Sequence, residues 1–408
     1  MPATFFSPSL YSSVAVFLLG AIALVVSSGY SVGAALLFLG GLYVLFSRNK
    51  PTFTKQDWFV LAALVIYGLM GVTEALFYHY SSRAYDLPSR FLAAAIALFF
   101  VLKYPPRLTW LWAGLATGGL LAGSWAGYQK IFLHVDRAKG FTHVIQFGNI
   151  SMLTGLFCLA GLAWACTHPN KRGWILFLGL GAIGGIAGSL FSGSRGGWIG
   201  LPLIALIFFR VYHQYFSLRL KTLLISAVVA LAVGIYSVPQ FGVQQRVHEA
   251  INNVTLYSQG SSDTSVGARF EMWKGASQLF MAKPIFGWGK AQYKQAMTEL
   301  AKQGKAHPVI KNFDHPHNEI LNNAAKQGIV GILALLFLYV VPLRLFAPGL
   351  RAESLTQRSL ATAGFLLPIA YIDFGLSQAF LTHNSGVMVY AFWLIVLWGS
   401  YRAYTLQK

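Results

Sequence analysis

WILFLGLGAIGGIAGSLFSGSRGGWIGLPLIALIFFRVY, residues 174–212, holds two apolar runs, 174–191 and 197–212, with almost no loop between them and one arginine, Arg195, at the turn. About 20 helical residues cross the roughly 30 Å hydrocarbon layer of a bilayer. The stretch therefore reads as a membrane hairpin that puts Arg195 at the boundary. Working outward, further runs bounded by charges, Pro and Gly cover 10–28, 31–46, 58–76, 88–102, 108–127, 146–167, 222–240, 328–345, 359–380 and 387–401. The expectation is an all-α polytopic membrane protein of about 12 transmembrane helices, the short second, fourth and twelfth runs being the weakest. Composition agrees: of 408 residues 56% are hydrophobic and 11% charged, against about 25% charged in soluble domains. The N-terminal MPATFFSPSLYSS lacks the positive region of a cleavable signal, so the first run reads as a retained helix. Cys158 and Cys166 share one apolar run, where a thiol acts as a small hydrophobe and no disulfide framework is expected.

A net charge of +19 is no argument for a nucleic-acid partner until its placement is known. With a cytoplasmic N-terminus, fifteen cations fall on cytoplasmic loops and span ends: Arg48, Lys50, Lys55, Lys103, Arg107, Lys171, Arg172, Arg210, Arg219, Lys221, Arg344, Arg351, Arg358, Arg402 and Lys408. Six, namely Arg83, Arg90, Lys130, Arg137, Lys139 and Arg195, fall on the short loops opposite. The excess of Lys and Arg marks the cytoplasmic side, so both termini are expected there.

Residues 241–326 break the run of short connections. They hold ten Lys or Arg, six Asp or Glu and four of the ten histidines. They are expected to form a helical excursion on the periplasmic side, since long translocated loops escape the charge rule. The chain thus divides into spans 1–9 (1–240), the excursion (241–326) and spans 10–12 (327–408), all one membrane-embedded domain. Within the excursion RFEMWKGASQLF, 269–280, has helical spacing; MAKPIFGWG breaks it at Pro284, Gly287 and Gly289; a second helix is expected over 290–303, and His315-Pro316-His317 introduces the next.

Four places could carry chemistry. SGSRGGW, 192–198, offers Arg195, glycines that permit close approach, and the free amides and positive dipole of the next helix start, features that suit a phosphate; a snorkelling arginine is the plain alternative. Arg269 presents a planar fork that fits a diphosphate, or else pairs with an acid such as Asp263. In DHPHNEIL, 314–321, the His317 imidazole can take a proton from a hydroxyl, with His315 or Asp314 orienting it; the other reading is a polar helix cap through Asn318 and Glu319. A metal on His315 and His317 lacks Cys or carboxylate ligands to complete the set. Asp373 is an acid inside the eleventh run, costly in lipid and so expected to meet a partner, Arg195 or His317.

SRGGW after the seventh run, R-x-x-x-W (Arg269 to Trp273) followed by PIFGWG, and HPHNEIL before the tenth run together resemble the O-antigen ligase family in order, spacing and topology. The likeness covers roughly 190–325; the first half matches only as a hydrophobic helical scaffold. The resemblance implies a GT-C-like glycosyltransferase of the bacterial inner membrane, active in lipopolysaccharide biosynthesis. It would move O-antigen from undecaprenyl diphosphate to a lipid A core sugar on the periplasmic face, inverting the anomeric centre, with no cofactor, nucleotide or required metal. By similarity Arg195 and Arg269 would hold the diphosphate and His317 would deprotonate the acceptor; His315 and Asp373 are supporting positions, and no motif fixes Asp373. O-antigen polymerases and protein-O-oligosaccharyltransferases are relatives, and modest length with a single excursion leans toward the ligase. Outside enzymology, a lipid flippase or transporter also has twelve spans and an intramembrane acid, but its distinctive residues lie near mid-membrane, whereas these gather at one surface.

Overall fold

A computed structural model describes residues 7–215, 217–237 and 243–406. The end of the ninth run (238–240), the first two residues of the excursion and Lys408 lie outside the described residues. Those described form α1 (Pro8–Ala21), α2 (Gly29–Phe46), α3 (Lys55–Phe77), α4 (Asp86–Lys103), α5 (Leu108–Ile131), α6 (Val144–Ala165), α7 (Lys171–Ser192), α8 (Leu201–Tyr212) and α9 (Leu218–Ser237). Then come α10 (Val243–Ser258), α11 (Ser265–Ala282) and α12 (Gly289–Lys302) of the excursion, and α13 (Glu319–Phe346), α14 (Leu355–Gly375) and α15 (Asn384–Leu406). No strand occurs among the described residues.

Among the described residues each of the twelve apolar runs overlaps a helix, the first run extending seven residues past the end of α1, and eight segments are long and apolar enough to cross a membrane: α2, α3, α4, α6, α7, α13, α15, and α8 together with its flanking turns (Arg195–Tyr215). α1 is a shorter apolar helix, while glycine and polar residues dilute α5 and α14. Lipid gives helices no hydrophobic reason to associate, so close backbone packing has to do it. Where α5 crosses α7, a Cβ on Gly119 would stand 2.2 Å from the Gly181 carbonyl oxygen, and one on Gly184 would stand 2.4 Å from that of Gly119. Alanine at either position would force the two helices apart. α15 runs through the middle, 89% of its apolar window buried, among α2, α4, α6 and α14.

Two ends of the bundle can be told apart by what their connections touch. At one end Phe141 N–H donates to Leu24 O and Ala138 N–H to Phe191 O, the Ser194 hydroxyl donates to Val144 O, and Lys290 N–H of the excursion donates to Glu74 at 2.6 Å. At the other end Arg107 N–H donates to the Ser13 hydroxyl, Lys103 to the Asn49 carbonyl, and Arg402 to Thr52 O.

The excursion differs from expectation in two ways. α10 adds a helix that the sequence reading did not separate, and α13 starts at Glu319 rather than 328, so a boundary at 326/327 falls inside it. α13 also breaks: Gly328 takes φ 64 and ψ −153. The amides of Ile329 and Val330 released there bond to the carbonyls of Pro284 (2.8 Å) and Ile285 (3.4 Å), and Trp288 N–H donates to Ala325 O (3.0 Å). PIFGWG is therefore a plug in a broken helix, which explains its glycines. A Cβ on Gly287 would lie 2.4 Å from the Lys326 backbone carbon, and one on Gly328 would lie 2.3 Å from Ile285 O. Non-helical backbone at membrane depth is tolerated where protein buries it and satisfies its polar groups.

Candidate active site

α11 starts at Thr264, whose hydroxyl accepts from Gly267 N–H at 3.0 Å, as a helix N-cap does. Arg269 lies in its first turns and Trp273 lies four residues on, on the same face. The Trp273 indole N–H donates to Pro316 O at 2.9 Å. The Arg-x-x-x-Trp spacing thereby fixes the His-Pro-His segment against the helix that carries Arg269. His317 takes φ 49, a left-handed conformation that costs a non-glycine residue about 1–3 kcal/mol and clusters at functional sites. Its N–H donates to His315 Nδ1 at 3.3 Å, and its ring stands edge-on to His315 (centroids 4.4 Å apart) and to Phe313 (5.8 Å). The Asn318 side chain then caps α13 by accepting from Leu321 N–H at 3.0 Å. The helix cap and an imidazole not spent on it therefore coexist in one segment.

Two histidines that sequence reasoning missed complete the cluster. His383, just before α15, lies 6.0 Å from His315 and 6.2 Å from His143 by ring centroids, and buried Gln378 bonds His383 Nε2 at 3.1 Å. Desolvation favours neutral imidazole. Burial, then the Arg269 charge, bring the His317 pKa down to about 4, with the Gln378 amide acting in the opposite direction. Burial, then His317 and Lys326, bring His315 to about 3. Burial, then His143, bring His383 to about 4. His143 is lowered by burial, Arg137 and Lys139 in that order. At neutral pH every ring here is an uncharged proton acceptor.

Cations border this cluster. Arg269 itself is lowered from the usual guanidinium value by burial, then by Arg195 and Arg137, so two further guanidinium groups lie within electrostatic reach of it. Arg137 is held by Ser192 O (2.9 Å) and the Ser194 hydroxyl (3.3 Å). Among the described residues Arg269 makes no ion pair with Asp263. Asp314 pairs outward with Lys294 at 3.1 Å and so is removed from orienting His317, while His315 bonds the His317 backbone rather than its ring. Among the described residues no group of three or more His, Cys, Asp or Glu could hold a metal ion.

The Arg195 turn is not the open helix start expected. Residues 195–197 form a 3-10 turn and α8 begins only at Leu201. Gly200 N–H at that start donates to Asp373 Oδ1 at 2.7 Å, so the protein's own carboxylate occupies the place assigned to a phosphate. This also corrects the partner expected for Asp373: a backbone amide, not Arg195 or His317. Nor is Asp373 deep in its span, since it stands two residues from the end of α14. Glu319 and Asp57, 2% and 0% exposed, are further buried acids, both near helix starts. The glycines of the turn serve close approach, a Cβ on Gly196 meeting Ser377 Oγ at 2.0 Å.

Arg137 could have been found from the charge count. It is one of the few cations on the side that the charge rule disfavours, and such exceptions invite a functional reading. His143, Gln378 and His383 left no motif; only the topology brings their loops to one end.

A family model described as O-antigen ligase matches residues 180–336, a segment that holds Arg195, Arg269, His315 and His317 but not Arg137, His143, Asp373, Gln378 or His383. An uncharacterised protein of Haemophilus influenzae is 27% identical over 369 residues, which is 90% of this chain and 92% of that protein. The O-antigen ligase of Escherichia coli K12 is 31% identical over 119 residues, covering 28% of this chain and 27% of that enzyme. The segment that carries the Arg-Gly-Gly turn, the Arg-x-x-x-Trp helix and the His-Pro-His cap is thus the part of the chain that is similar to the O-antigen ligase family.

Proposed function

We propose that the protein is an O-antigen ligase. It spans the bacterial inner membrane twelve times with both termini in the cytoplasm, and it transfers O-antigen glycan from undecaprenyl diphosphate to a lipid A core sugar in the periplasm. The observation that carries this reading is a half-buried, uncharged His317, pinned beside Arg269 by the Trp273 bond to Pro316.

In this mechanism Arg269 and Arg195, with Arg137 beside them, hold the two phosphates of the donor. His317 accepts the proton of the acceptor hydroxyl as its oxygen attacks the anomeric carbon from the face opposite the diphosphate. The old carbon–oxygen bond breaks, its electron pair leaves with undecaprenyl diphosphate, and the anomeric centre inverts. The added charge on the leaving group meets guanidinium donors already in place, which is where electrostatic preorganisation contributes most. A base with a pKa of about 4 is weak at rest. Arg269 is second only to burial among the causes of that low value, and a diphosphate seated on Arg269 cancels its charge. Donor binding therefore strengthens the base when a proton has to move. No step calls for a metal, and a chelator is expected to leave the rate unchanged.

The test is purified protein in nanodiscs, given lipid-linked glycan and either lipid A core, a peptide or no acceptor. Glycosylated lipid A core is the expected product. Glycan lengthening on the carrier, or a glycosylated Ser or Thr, would instead make it a polymerase or a protein-O-oligosaccharyltransferase, and translocation without bond formation would leave a flippase.

A further inference from the structure

A cavity of about 110 Å³ opens between α3, the start of α4 and the first turns of α13, and none of the arginines or histidines discussed so far lines it. Its polar walls include two carboxylates, Glu74 and Glu319, with Tyr80, Lys290, Asn322, Lys326 and Gln327; Glu319 is held by Leu381 N–H at 2.8 Å and by the Asn323 amide at 3.2 Å. Most of the acceptors are already used. Glu74 takes Lys290 N–H at 2.6 Å and the Gln327 amide at 2.7 Å, and the Tyr80 hydroxyl takes Ala291 N–H at 3.0 Å. Two groups are not used up. Asn322, 6% exposed, has a side-chain oxygen with no hydrogen-bond partner among the described residues. Lys326, 7% exposed, gives one N–H to Asp314 O at 2.8 Å and stands 4.8 Å over the Tyr293 ring, but an ammonium has three donors. Exposed Lys290 adds a second ammonium on the same cavity, with no ion pair among the described residues.

The cavity adjoins the histidine cluster, and no arginine lines it. Two wall residues, Glu319 and Thr382, lie two residues after His317 and one before His383. Inverting transfer needs its two substrates on opposite faces of the anomeric carbon.

We infer that this cavity is the acceptor subsite, and that it takes an acidic sugar whose phosphate or carboxylate bonds the Lys290 and Lys326 ammonium groups while a hydroxyl meets Asn322. The inference rests on the glycosyltransferase reading above. Ammonium groups bind a phosphate as point charges, and an amide oxygen left bare by the protein calls for a hydroxyl donor.

The experiment uses the full chain in nanodiscs with Lys290→Glu, an exposed site that the fold tolerates, and Asn322→Ala. With phosphorylated lipid acceptor, Lys290→Glu is expected to raise the acceptor KM about tenfold at unchanged donor KM, and dephosphorylated acceptor on the unaltered protein is expected to give the same rise. In direct binding, a hexose 6-phosphate should bind more tightly than the parent hexose or inorganic phosphate, and Asn322→Ala should remove its advantage over phosphate. A rise in donor KM instead, an unchanged acceptor KM, or equal binding of hexose and hexose phosphate would each overturn the subsite. Absence of any glycan transfer together with Lys290-dependent hexose phosphate binding would overturn the ligase reading, and with it the acceptor role, while leaving the cavity as a site for an acidic sugar.

Discussion

At the end of the bundle away from the excursion, cations are consumed by their neighbours. Arg402 pairs with Asp57 at 3.1 Å, and Asp57 also takes the Trp398 indole at 2.8 Å and the Thr54 amide at 2.7 Å. Arg358 donates to Ala352 O and Val211 O and lies over the Tyr215 ring. At the excursion end Arg269 has Arg195 and Arg137 as its charged neighbours, and four histidines are held neutral beside them. Like charges kept together oppose folding, and imidazoles held neutral in the folded protein favour unfolding as pH falls. The first end uses charge to hold helices, and the second, on the proposed function, gathers charge around the donor diphosphate.

The largest expected effects come from exchanging the kind of damage between the ends. His317→Ala is expected to lower transfer about 10³-fold, within the range for a general base, and Arg269→Ala about 10²-fold, each with little change in the detergent-unfolding midpoint. Asp57→Ala should do the opposite. Breaking a buried pair costs about 3–5 kcal/mol, so the unfolding midpoint should fall clearly while the folded fraction keeps its turnover. Wild-type transfer by His317→Ala, or a selective loss of turnover in Asp57→Ala, would erase the distinction between the ends.

A smaller effect sharpens it within the excursion end. Trp273→Phe keeps an aromatic ring and removes only the donor to Pro316 O. A net hydrogen bond of about 1 kcal/mol, lost from a clamp that sets the position of His317, should lower kcat about fivefold and leave the donor KM in place. An equal fall in kcat and rise in donor KM would mean that Trp273 serves binding rather than the position of the base.

The bundle was legible because long apolar runs report removal from water, into lipid or protein, and among the described residues each of the twelve overlaps a helix. The break in α13 was not legible. PIFGWG announced a turn, but nothing local says that its carbonyls serve amides more than forty residues away. Arg195, Arg269 and His317 stood out because glycines, a tryptophan and prolines flank them in fixed spacing, and the structure explains that spacing through the Trp273 clamp. Asp373 misled: a carboxylate in an apolar run suggested a charged partner, whereas a backbone amide at the start of α8 suffices. His143 and His383 belong to loops that only the folded topology brings together, and no one-dimensional pattern records that meeting.

The smallest effect follows from the low pKa values of the rings. His317 must be neutral to accept a proton, so activity is lost as pH falls through its pKa. In kcat/KM for the donor, which reports the free enzyme, the acid limb is expected near pH 4, the value set by burial and Arg269. In kcat the donor diphosphate already offsets Arg269, so the acid limb should lie at higher pH. Stability must be followed separately. With folded pKa values below the unfolded value near 6.5, the unfolded chain binds more protons as pH drops. The stabilisation from neutral His143, His315, His317 and His383 is complete above about 6.5 and is lost as pH falls toward their folded values. The kcat limb therefore has to be read from initial rates in a window where the unfolding midpoint is unchanged. Coincident limbs in kcat and kcat/KM would mean that the donor does not neutralise Arg269, and that the cations and the base at this end act independently.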